Sequence, residues 1–199
     1  MDHYLLISDN FQNTIETIAL SVDALASPIS EGSNLLVSTL LRDGKIISCG
    51  NGADGALAQL FACNLLNRFE HDRPALPALA LTSDGASLLG IAQGGGLNET
   101  FSRQVRALGQ PGDTLLCISS GGDATNLLRA IQAAHERDMT VVALLHGGDA
   151  ELGSLLQHDD VQITVDHPRR SRVVEMHTMV LHCLCQLIDH SLFGAYSQD

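Results

Sequence analysis

After Asp43-Gly44 the chain alternates between short apolar runs and longer segments with helical spacing. The runs are Lys45-Ile-Ile-Ser-Cys49, Ala75 to Thr82, Thr114-Leu-Leu-Cys-Ile-Ser119, Thr140-Val-Val-Ala-Leu-Leu145 and Val161-Gln-Ile-Thr-Val165. Each reads as a buried strand, and parallel pairing follows because helices intervene as crossovers. Helices are predicted from about Ala53 to Glu70, near Ser87, from Asp123 to Arg137 and from about Arg170 to Leu192, with a turn at Glu151. The predicted class is three-layer α/β around a parallel sheet. Ahead of it, Phe11, Ile15, Ile18, Val22 and Leu25 keep helical spacing, and a second helix is expected from Pro28 through Leu36, Val37 and Leu40. One domain over 1–199 is predicted, with a helical hairpin at about 8–43 in front of a core at about 44–192. In the last helix, Val173, Met176, Met179, Val180, Leu184, Leu187 and Ile188 cover more than one face, which points to burial at a subunit interface.

Composition narrows the function. The 199 residues are 45% hydrophobic and 17% charged, with a net charge of -12, which excludes general affinity for nucleic acid or anionic membrane. Cys49, Cys63, Cys117, Cys183 and Cys185 lie in apolar runs without a CxxC pair and read as reduced thiols. No apolar run approaches the length of a membrane span, and the N-terminus lacks a basic, then apolar, leader. A cytoplasmic, unexported protein is expected.

In open parallel sheets ligands bind outside the carboxyl ends of the strands, so Gly50–Gly55 and Ser119–Asn126 are the candidate loops. Both are glycine-rich and lead into helices, whose first N–H groups favour an anion. Neither is a Walker loop or a GxGxxG turn. Asn51, Gly52, Ser119, Ser120 and Gly121 are the candidate ligand-binding residues, while Asp54 and Asp123 are expected to cap their own helices. A further segment, Gln93-Gly-Gly-Gly96, is expected to be a mobile loop.

Several stretches carry a resemblance: Ser48-Cys-Gly-Asn-Gly52, Asn67-Arg-Phe-Glu70, Gln104 to Asp113, Ala130 to Asp138 and His182 to Asp189. From about Phe11 to Phe193 the chain resembles the sugar-isomerase (SIS) domain family, and within it the branch that holds phosphoheptose isomerases and the DnaA initiator-associating protein. The resemblance implies a five-stranded flavodoxin-like sheet and a homotetramer with ligand sites between subunits. It also implies zinc and proton-transfer residues at four positions, which here are Leu60, Asn64, Val174 and His182. Only His182 keeps a metal-binding type, so no cofactor is expected and the zinc site reads as lost. Two hydroxyl donors of the branch's phosphate loop are missing as well, at Gly121 and Ala124.

The remaining candidates have two readings each. His182 is either the remnant of a catalytic site or a hydrogen-bonded core histidine. Arg172 either reaches a phosphate or forms an ion pair. Leu192 and Phe193 are either the last packing contact of the helix or an apolar patch for a partner. On the missing positions, the expectation is a non-catalytic protein similar to the DnaA initiator-associating protein, binding a DnaA-type partner and a phosphosugar. The alternative is a phosphoheptose isomerase converting sedoheptulose 7-phosphate to glycero-manno-heptose 7-phosphate in lipopolysaccharide synthesis.

Overall fold

The computed structural model describes residues 2–194, so the polar tail lies outside the described residues. The chain runs α1 (His3–Leu41), β1 (Ile46–Gly50), α2 (Ala53–Leu66), β2 (Ala78–Ala80), α3 (Gly85–Gly95), α4 (Ser102–Leu108), β3 (Thr114–Ser119), α5 (Thr125–Glu136), β4 (Thr140–His146), α6 (Ala150–Gly153), β5 (Val161–Val165) and α7 (Arg170–Phe193). The five strands form one parallel sheet in the order β2-β1-β3-β4-β5. Side chains alternate across it: Ile46, Leu116, Leu144 and Ile163 join a core with α1, α2 and α7, while Ile47, Leu115, Val141 and Leu145 join a second with α5. This is the expected three-layer α/β fold. The strand order reverses between β1 and β3, which opens a crevice at the ends of Gly50 and Ser119.

Two expectations are corrected. The N-terminal hairpin is one continuous helix, with Pro28 inside α1. Proline removes one backbone donor there, and packing of Leu25 and Ile29 against the core on either side carries the helix through. The segment through Gln93 and Gly94 is helical and closes α3, not a loop.

The apolar face of α7 is divided. Val173, Val180, Leu184 and Ile188 are buried, whereas Met179 and Leu187 are exposed. Phe11, Ile15, Leu20 and Val22 on α1 are exposed too. Between the two helices runs a groove of about 320 Å³ lined by Ile18, Val22, Ile29, Met176, Met179 and Leu187, among others. No helix among the described residues is long and apolar enough to cross a membrane.

Candidate functional site

The two glycine-rich loops meet at the carboxyl edge of the sheet. Gly52, Gly121 and Gly122 hold φ of 58°, 97° and 106°, a region costly for a residue with a Cβ. A Cβ at Gly50 would lie 2.6 Å from the Asp54 backbone, so the first loop folds back tightly over its own strand. Asn51 ties the loops together: its amide and that of Asn126 donate to each other's oxygens, both at 2.8 Å.

Asp54 departs from its expected role. It does not cap α2 but turns across to the second loop, where Oδ2 accepts from the N–H and the hydroxyl of Ser120, each at 2.9 Å. Arg170, in the first turn of α7, donates from Nε to the Ser120 hydroxyl at 2.9 Å and stands 3.7 Å from Asp54 Oδ2. Asp54 is 1% exposed and its Oδ1 has no hydrogen-bond partner. Burial pushes its carboxyl up from the ordinary range, against the Ser120 hydrogen bonds and the Arg170 charge; the Asp149 charge adds to the rise. Asp123 does behave as expected at its helix start. It is exposed and accepts from the Thr125 N–H and hydroxyl, which hold its carboxyl below the ordinary range.

Histidines stand behind this edge. His146 Nδ1 accepts from the Gly148 N–H at 3.0 Å, which leaves Nε2 as the donor to the His167 carbonyl at 3.2 Å. His177 is fully buried, 3.4 Å from the Leu145 carbonyl through Nε2, and burial drives its pKa down to about 4.

Of the predicted site residues, the structure brings together Asn51, Gly52, Ser119, Ser120 and Gly121. Arg172 does not join them. It is buried against α1, donating to the Asn10 carbonyl and to Thr14, and pairs with Glu175 at 2.8 Å. The residue that sequence reasoning missed is Arg170, two positions before Arg172. Its only signal was its place in the first turn of a helix after a strand end.

His182 lies far along α7, half-buried, its ring 5.4 Å from that of Phe69. The residues around it do not fit zinc. Leu60 and Val174 offer no lone pair, and Asn64 carries a neutral amide where a zinc site uses His, Cys or a carboxylate. Among the described residues no group of three His, Cys, Asp or Glu is placed to hold a metal ion. At the end of the helix, Leu192 packs against the core and Phe193 is 38% exposed.

A family model described as SIS domain matches residues 10–146. The chain belongs to the SIS domain family. Its SIS relatives include the phosphoheptose isomerase of Chromohalobacter salexigens, 46% identical over 195 residues that make up 98% of this chain and 99% of that one. The phosphoheptose isomerase of an Azoarcus species is also 46% identical, over 98% of each chain. A solved phosphoheptose isomerase from Francisella tularensis superposes with a TM-score of 0.92 at 37% identity, covering 96% of this chain and all of that one. These relatives overturn the expectation of a non-catalytic protein similar to the DnaA initiator-associating protein.

Proposed function

We propose that this chain is a phosphoheptose isomerase, interconverting sedoheptulose 7-phosphate and its aldose partner. The observation that carries the reading is the whole-length similarity to proteins of that name, and the geometry supplies a place for the substrate. The carboxyl-edge loops supply anion-directed N–H groups, and the Arg170 guanidinium stands over them with 56% of its side chain exposed. Isomerisation moves a proton between adjacent carbons, which needs a group that both takes and gives a proton. His182 is assigned that role, in line with its place in the family resemblance.

The two parts do not serve one substrate within one chain. His182 is twelve residues beyond Arg170 on the same helix, so it lies about 18 Å along the axis at 1.5 Å per residue, farther than a seven-carbon sugar phosphate extends. The reading therefore includes assembly, with His182 supplied by a neighbouring copy. The groove between α1 and α7 and the exposed apolar residues beside it support such an interface, and the family resemblance makes the assembly a tetramer. The unpaired, mostly buried cysteines fit a reducing cytoplasm.

Because the residues near His182 do not fit zinc, the reaction is proposed to run without it. Incubating chelator-dialysed protein with sedoheptulose 7-phosphate tests this. Aldose phosphate should form, and His182→Ala should abolish it. If turnover appears only after zinc is added, the metal-free reading is wrong.

A further inference from the structure

The donors of the anion cradle are already engaged within the protein. The Ser120 N–H and hydroxyl point to Asp54, the Gly121 N–H points to the Ser119 hydroxyl at 3.3 Å, and the Thr125 N–H and hydroxyl point to Asp123. Arg170 completes the set by donating to Ser120 while facing the Asp54 carboxylate. A carboxylate that collects a backbone N–H, a hydroxyl and a guanidinium sits where such a loop would hold a phosphate oxygen. One of its own oxygens is buried without a partner. A buried acceptor left unpaired is costly, so this arrangement is not a satisfied structural contact.

We propose that Asp54 is the resident occupant of the anion cradle, and that a phosphorylated ligand enters only when this carboxylate is protonated or turned aside. The inference deepens the function proposed above, since it concerns the phosphate end of the same site. Asp54 makes the site selective by charge state: ionised, it repels a phosphate oxygen, and neutral, it does not. Two charged groups face it, Arg170 from α7 and Asp149 from the turn after β4, and they act in opposite directions. His146 and His167 are unchanged in Asp54 variants, so any influence of theirs cancels in a ratio of variant to parent.

The probe is inorganic sulfate, whose charge is constant over this range, titrated calorimetrically into the full chain at pH 8 and pH 5. Asp54→Ser is expected to bind sulfate about tenfold more tightly than the parent at pH 8, the effect of removing one opposed charge of roughly 1.4 kcal/mol. The ratio should be smaller at pH 5 than at pH 8, because protonation of Asp54 removes the charge that the variant lacks. Adding Arg170→Met to Asp54→Ser should remove the gain, which places the sulfate in this cradle. Equal binding at pH 8, a ratio unchanged at pH 5, or a gain that survives Arg170→Met overturns the proposal. Should Asp54→Ser not fold, Asp54→Asn replaces it with the same expected order. Sulfate binding does not depend on catalysis, so absent turnover with the expected sulfate ratios would defeat the isomerase reading and leave this one standing.

Discussion

Asp54 and Asp189 are both buried carboxylates beside an arginine, and they do opposite things. Asp189 lies on the buried face of α7, where Arg73 Nε donates to it at 2.7 Å and both side chains are almost wholly excluded from water. The other Arg73 nitrogens donate to the carbonyls of Leu65, Pro74 and Asn64, so the pair is closed on itself. At the sheet edge, Asp54 has its arginine 3.7 Å away and largely exposed, and one carboxylate oxygen unpaired. A buried charge with every partner in place locks two segments together, whereas one left partly unpaired is ready to change state.

The largest expected effect breaks the closed member of the pair. Asp189→Asn leaves the Arg73 charge buried without its counterion and should cost about 3–5 kcal/mol in urea unfolding. A loss below about 1 kcal/mol would show that the two sites do not differ as described. Next comes His177, which lies beneath the edge. Its imidazole has a pKa of about 4 in the fold against 6.5 ordinarily. A depressed value means that the fold favours the neutral ring: its contribution is full above about pH 6.5 and is lost as pH falls toward 4. By linkage the loss is about 3 kcal/mol at pH 4. His177→Leu should remove that part of the acid sensitivity when unfolding free energies at pH 7 and pH 4 are compared.

A smaller effect, of opposite sign to that of Asp189→Asn, is expected from Asp54→Asn. The Asp54 carboxyl is raised, so its contribution to stability is full below the ordinary carboxylate range and is lost as pH rises through the folded value. Removing the charge should therefore raise the Tm at pH 8, and by less at pH 4. Smallest of all is Asp123→Ala, at the matching place on the second loop. Its carboxylate is exposed and bonded only to Thr125, so calorimetry should find a Tm change below about 2 °C. An effect as large as that of Asp54→Asn would erase the distinction between the loops.

Much of the fold was legible because a strand buried on both faces has little choice of residue: Thr114–Ser119, buried throughout, matches its predicted bounds, and so does the half-buried edge strand Val161–Val165. The continuity of α1 was not, since proline reads as a helix start and only tertiary packing shows otherwise. For the site, the loops were legible from their glycines, but the direction of Asp54 was not. A carboxylate near a helix start either caps it or reaches across, and the partner that decides, Ser120, is 66 residues away. Arg170 and Arg172 were confused for a different reason. Positions two apart on a helix point about 200° apart, and the phase of α7 against the sheet cannot be read from its sequence. The Arg73–Asp189 pair spans 116 residues and carries no local pattern.

We propose that this chain isomerises a sugar phosphate although the residues near His182 do not fit zinc. Turnover of sedoheptulose 7-phosphate by chelator-dialysed protein, followed by the appearance of the aldose phosphate, addresses it most directly. Product is expected to grow in proportion to protein concentration, to be unaffected by added zinc and to vanish in His182→Ala. No product at any protein concentration, with or without zinc, would contradict it.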